Sequence, residues 1–180
     1  MLSPTKSSSA FVLPNSAASS CALGGFSLIE AMIVIAIVAI MATLAVPGYL
    51  EKIIRDQVVE ALPLADVAKP PIAKARAASQ PLPDDNAGAE LPAADKIVNY
   101  VVSSVSVHGG AIDITFGNKA NGNLKGKILT FRPAVVDDAP VVPITWVCGY
   151  AAAPPKMTIK GQNGTNVPSR YLPLKCRTGS

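Results

Sequence analysis

Glu30 is the only charged side chain in the stretch GGFSLIEAMIVIAIVAIMATLAVPGYL, Gly24 to Leu50. Twenty uncharged residues, Ala31 to Leu50, follow it. As a helix they span about 30 Å, the thickness of a bilayer's hydrocarbon core. A carboxylate drawn to the middle of such a membrane costs about 2.5–3.5 kcal/mol, and less near its interface. Its position therefore calls for a compensating charge.

Other groups with reactive chemistry are sparse. His108, the one histidine, stands beside Gly109-Gly110 and reads as a turn residue rather than a base. Asp84-Asp85 and Asp137-Asp138 lie among loop residues. A calcium loop needs further oxygen ligands at set spacing, so both pairs read as solvated turns and no metal site is expected. Neither a Ser-His-Asp order, a zinc-type Cys/His cluster nor a glycine-rich phosphate loop is present, so no enzyme and no cofactor is expected. Asn163-Gly164-Thr165 fits the N-glycosylation pattern, but Asn-Gly is first a turn signal. The net charge of +4 is too mild and too dispersed to identify a nucleic-acid binder. At 180 residues, 49% hydrophobic and 16% charged, the chain allows one domain with a modest core once the apolar run is set aside.

The elements that must position these groups differ along the chain. Residues 1–25 are rich in Ser and Ala, carry only Lys6 and have no strong period, which reads as a leader. A secretory signal ending near Thr43-Leu44-Ala45 is disfavoured by Glu30 and by the length of the apolar run. A lipoprotein anchor at Cys21 is disfavoured because no apolar stretch of adequate length precedes it. Beyond the span, Ile54, Val58, Ala61, Leu62 and Ala65 recur at helical spacing, with Glu51, Lys52, Arg55, Asp56 and Glu60 on other faces. This predicts an amphipathic continuation over 51–79, bent at Pro63 and limited by Pro70-Pro71, with one more turn in KARAAS. Residues 80–95 read as loop. Four strands are then expected: Lys96 to Val107, Ile112 to Phe116 after a His108-Gly109-Gly110 turn, Lys127 to Arg132 after the loop GNKANGNLKG, and Val141 to Cys148 with Ile144, Trp146 and Cys148 on one face. The fold class is α+β, an antiparallel sheet burying one apolar face against the half of the helix beyond the membrane.

Gly25-Phe26-Ser27-Leu28-Ile29-Glu30 followed by an uninterrupted apolar helix resembles the class III signal of type IV pilins, of the N-methylphenylalanine kind. The resemblance implies cleavage between Gly25 and Phe26 by a membrane-embedded prepilin peptidase, N-methylation of Phe26, and retention of Glu30 as an assembly residue. Pro47-Gly48 also matches the family, in which the corresponding proline interrupts the N-terminal helix. The leader departs from the family's short basic form, having only Lys6, with Lys52, Arg55 and Lys69 beyond the span, a distribution that does not favour a cytoplasmic N-terminus.

On this resemblance residues 26–50 form the membrane and filament-core helix, and 96–180 form a sheet domain. Removing the leader takes Cys21 with it and leaves Cys148 and Cys176, whose pairing as a C-terminal disulfide loop the family implies. Closing that 29-residue segment is worth roughly 3–4 kcal/mol in the chain-entropy picture. Expected partners are copies of the chain in a helical filament, the prepilin peptidase, the inner-membrane assembly machinery, and the inner membrane itself before export to a cell-surface pilus. Such filaments serve adhesion, twitching motility or DNA uptake, the last making nucleic acid a candidate partner. Ser180 is a candidate O-glycosylation site, since some pilins carry a glycan on a C-terminal serine. The rival readings are a pseudopilin of a type II secretion system, disfavoured by the cysteine loop, and an uncleaved single-pass anchored binding domain.

Overall fold

The computed structural model describes residues 25–178, apart from the side chains of 45–47. The expected leader up to residue 24, with Cys21, and Ser180 lie outside the described residues. Two compact units divide between Met41 and Ala42, and helix α1, Leu28–Ala65, contributes to both. The helix assignment runs through Pro47, which does not end it.

In the first unit α1 carries the apolar run. Its large side chains are exposed, Ile33, Ile37 and Ile40 by 55, 53 and 64%. The helix is long and apolar enough to cross a membrane, and none of its most apolar window is buried. Such a surface is stable in lipid or against protein, and costly in water.

In the second unit the same helix buries one stripe, Ile54, Val58, Ala61 and Ala65, the i, i+4, i+7, i+11 spacing expected of an amphipathic helix. Its outer face carries the pairs Glu51–Arg55 at 3.4 Å and Lys52–Asp56 at 2.8 Å. The expected continuation over 51–79 is broken in two. After Pro63, the N–H groups of Asp66, Val67 and Ala68 donate to carbonyls three residues back, closing the last turn. Helix α2, Lys69–Ala77, then begins with Pro70 and Pro71 in its first turn. The proline pair opens this helix instead of limiting the preceding one, because a first-turn N–H has no intrahelical acceptor to lose and the fixed φ is already helical. Ala68 and Ile72 continue the buried stripe.

The sheet is antiparallel and five-stranded: β1 Val102–His108, β2 Ala111–Phe116, β3 Ile128–Val135, β4 Thr145–Cys148 and β5 Thr158–Ile159. The order is β1-β2-β3-β4, with β5 also paired to β3. His108 faces Ala111 across a two-residue turn in which Gly109 and Gly110 have φ of +55° and +79°, the left-handed pair that suits a tight hairpin. β1 starts at Val102, not Lys96. Residues Ala94–Lys96 form a 3-10 turn, and the Asn99 side chain accepts the N–H groups of Val101 and Val102 at 2.9 and 2.7 Å, which ends the loop before the ladder begins. β3 continues past Arg132 through Pro133, and β4 starts at Thr145 rather than Val141, which is 88% exposed between Pro140 and Pro143. Val102, Val105, Val107, Ile112, Ile114, Phe116, Leu129 and Phe131 form the core with the helix stripe, and Ile144 and Trp146 pack at its edge.

Candidate functional site

The N-terminal motif sits at a change of backbone. Gly25, Phe26 and Ser27 are non-helical, Leu28 begins α1, and the Ser27 carbonyl accepts the Ala31 N–H at 3.1 Å. The Gly25–Phe26 bond therefore lies in open chain just ahead of the helix, with Phe26 77% exposed. Glu30 falls in the first turn, where a carboxylate gains about 0.3–1 kcal/mol from the helix dipole. Among the described residues it has no ion-pair partner.

The C-terminal segment is fastened to the sheet covalently and by hydrogen bonds. Cys148, at the end of β4, is bonded to Cys176 with Cα atoms 4.6 Å apart, and both are buried. The Tyr150 N–H donates to the Cys176 carbonyl at 2.9 Å. Gly149, at φ +56°, is required between them, since a Cβ there would lie 2.8 Å from the Cys176 carbonyl oxygen. The Asn163-Gly164-Thr165 segment, irregular chain rather than the backbone turn expected of Asn-Gly, is bound into β3. Thr130 N–H donates to Thr165 Oγ1 at 3.0 Å, Gly164 N–H donates to Thr130 Oγ1 at 3.0 Å, and the Thr130 hydroxyl donates to Asp113 at 2.6 Å. Asn163 Nδ2 donates to the Gly149 carbonyl at 3.0 Å. This motif acts as a clasp, with its amide and hydroxyl both engaged. Arg55 Nε donates to the Arg170 carbonyl at 2.8 Å and so ties α1 to the same segment.

Of the remaining residues singled out in the sequence, His108 is exposed at the end of β1. Asp85 accepts the Gly88 N–H at 2.7 Å and closes a turn. Asp137 pairs with Lys160 at 2.7 Å and accepts the Thr158 hydroxyl at 2.7 Å; these two hydrogen bonds, Lys160 first, hold its carboxyl below the usual aspartate range. Burial pushes the Arg132 guanidinium below its ordinary value. Among the described residues no group of three or more His, Cys, Asp or Glu is placed to hold a metal ion. Sequence reasoning missed the clasp partners Asp113 and Thr130, because each lies on a different strand and only the β2–β3 register brings them together, Asp113 opposite Thr130.

Comparison with known proteins agrees with both halves. A family model for the prokaryotic N-terminal methylation motif matches residues 24–46, and one for pilin, a bacterial filament protein, matches residues 55–177. The chain belongs to the pilin family. A fimbrial protein of Neisseria meningitidis is 32% identical over 162 residues, 85% of this chain and 93% of its own. A type IV major pilin protein of Neisseria gonorrhoeae is 33% identical over 160 residues, 85% of this chain and 86% of its own. A type IV major fimbrial protein of Dichelobacter nodosus is 30% identical over 126 residues, 63% of this chain and 79% of its own. This pilin is a structural subunit of a type IV pilus, in a family of filament subunits rather than of enzymes. The relatives are fimbrial and major pilin proteins, and none of these three points to a secretion pseudopilin.

Proposed function

We propose that this pilin is made as a membrane-anchored precursor, cut between Gly25 and Phe26, methylated at the new Phe26 amine, and assembled through α1 into an extracellular filament with Glu30 setting the register. The observation that carries the reading is an exposed apolar stretch of α1, residues 28–44, with one carboxylate in its first turn. Cleavage creates an α-amino group four residues ahead of Glu30, about one helical turn away. Within a chain the protonated amine partly neutralises the carboxylate. Between chains, the amine of an incoming subunit is drawn to the Glu30 of a subunit already in the fibre. On assembly the apolar helices exchange lipid for each other, so that surface never meets water. The leader, residues 1–25, and the apolar segment of residues 26–50 are the parts used in processing and assembly. The sheet domain with its disulfide loop faces outward and serves adhesion, twitching motility or DNA uptake. Ser180 is a candidate acceptor for an O-linked glycan. Mass spectrometry of pilin sheared from cells tests the processing. The expected chain begins at N-methylated Phe26, and an uncut chain beginning before Gly25 would overturn the proposal and support a permanently anchored domain.

A further inference from the structure

The described chain holds two Asn-Gly pairs, Asn121-Gly122 and Asn163-Gly164, and their surroundings are opposite. Asn-Gly is the dipeptide most open to succinimide formation, because glycine puts no side chain in the way of its own nitrogen. At Asn163 the chemistry is blocked three times. The leaving amide donates to the Gly149 carbonyl at 3.0 Å, the attacking Gly164 nitrogen donates to Thr130 Oγ1 at 3.0 Å, and that hydroxyl is itself fixed on Asp113 at 2.6 Å. Gly164 is also enclosed, a Cβ there meeting Thr130 and Asp113 at 3.4–3.5 Å. Around Gly122 nothing lies within 4 Å of a Cβ position, and the residue is exposed. Among the described residues its N–H donates to no acceptor. The Asn123 N–H donates to Asn121 Oδ1 at 3.0 Å, a donor placed on the oxygen that becomes an oxyanion when the side-chain carbonyl is attacked.

From these contrasts we infer that Asn121 is a site of spontaneous, sequence-selective deamidation in the folded pilin, and that Asn163 is protected. The Gly122 nitrogen, losing its proton to base, attacks Cγ of Asn121. The Cγ–Nδ2 bond breaks, and ammonia leaves with a proton from water. Water then opens the five-membered succinimide at either carbonyl, giving Asp or, by the longer route through the side chain, isoaspartate. The net change is water in and ammonia out, with no oxidant or catalyst. Two consequences follow from the surroundings. Residues 117–127 contain Lys119, Lys125 and Lys127 and no acid, so conversion adds the first negative charge to a basic loop. Asn121 is also where this loop is fastened: its N–H donates to Gln57 Oε1 of α1 at 2.8 Å, and its carbonyl accepts from Leu124 and Lys125 at 2.8 and 3.0 Å. An isoaspartate lengthens the backbone at that point and loosens the loop from the helix.

The test is to age folded full-length pilin in mildly alkaline buffer, digest it, and follow both peptides by mass spectrometry with fragmentation that separates Asp from isoaspartate. Asn121 is expected to convert faster than Asn163 by on the order of tenfold or more, the scale set by a hydrogen bond held on the closed site. In urea with the disulfide reduced, the two rates are expected to converge. Gly122→Ala, which the open surroundings admit without strain, should slow Asn121 roughly tenfold while leaving the fold unchanged by circular dichroism. Equal rates in the folded protein, or an Asn121 that converts only after unfolding, would overturn the inference.

Discussion

Replacing Cys148 and Cys176 together by Ala removes the cross-link without leaving a lone thiol, and its cost is calculable. The bond closes a segment with a sequence separation of 28. The chain-entropy relation then gives about 3.6 kcal/mol at 25 °C. The affected unit is Ala42–Ser180. Unfolding entropies of about 2.1 cal/mol/K per residue over roughly 140 residues give about 0.29 kcal/mol/K, so the midpoint falls by about 12 °C. Truncating two buried sulfurs adds a smaller packing loss in the same direction. Trp146, two residues before Cys148 in β4 and packed at the core edge, is the natural reporter. Near-ultraviolet circular dichroism of detergent-solubilised pilin follows its packing through a thermal scan, apart from the helical signal of the apolar segment. A drop of less than about 4 °C would refute the entropic account, because it would leave under a third of the predicted effect.

Thr165→Val keeps the shape of the clasp but removes the acceptor for the buried Thr130 N–H, and should cost about 1–3 kcal/mol in urea titrations; a loss under about 0.5 kcal/mol would mean that water replaces the hydroxyl. Asp137 has a carboxyl held below its unfolded value, so its contribution is present above about pH 3.9, the ordinary aspartate value, and is lost as pH falls through the lower folded value. Wild type should therefore be more stable than Asp137→Asn at neutral pH, the midpoints converging in acid; midpoints that diverge on acidification would reverse the sign argued here. Glu30→Ala should leave pilin inserted and cut after Gly25 yet sharply reduce fibres counted by electron microscopy, with Glu30→Gln nearly as damaging; normal fibre numbers built from the mutant subunit would remove the charge-register account.

What could be read from the sequence was whatever repeats at a fixed period or sits inside one short stretch. The apolar run, the Ile54/Val58/Ala61/Ala65 stripe and the β1–β2 hairpin are of this kind; the first two appear where expected, while in the hairpin the turn is only Gly109-Gly110 and His108, expected in the turn, pairs with Ala111 as the last residue of β1. The errors fall where one residue type has two physical uses. Pro70-Pro71 was expected to limit a helix and instead opens one, because position within the turn decides whether the missing N–H matters. Lys96 to Val101 was read as the start of a strand, but the Asn99 side chain accepts the N–H groups of Val101 and Val102 and holds a local turn just ahead of β1. β5, two residues long, carries no period at all, and it exists because β3 offers it an edge at Ala134 and Val135.

A single helix thus meets two kinds of surroundings, and the change in its burial pattern says what each half needs. From Ile54 onward one face is buried by the sheet and the other carries ion pairs, so this half is satisfied within its own subunit. The half up to Met41 has no buried side chain. Its apolar residues run around the whole circumference, which gives a neighbouring helix no preferred stripe and makes neighbouring registers, one residue and about 1.5 Å apart, close in energy. Dispersion and lipid exclusion can hold such helices together but cannot choose among those registers. A unit charge pair can. At 4 Å and an effective dielectric of about 20 it is worth about 4 kcal/mol, falling to about 2 kcal/mol at twice the distance. In the proposed assembly Glu30, the sole charged side chain of the apolar half, would be the group with enough energy and enough distance dependence to select one register, which is the physical argument behind the Glu30→Ala prediction.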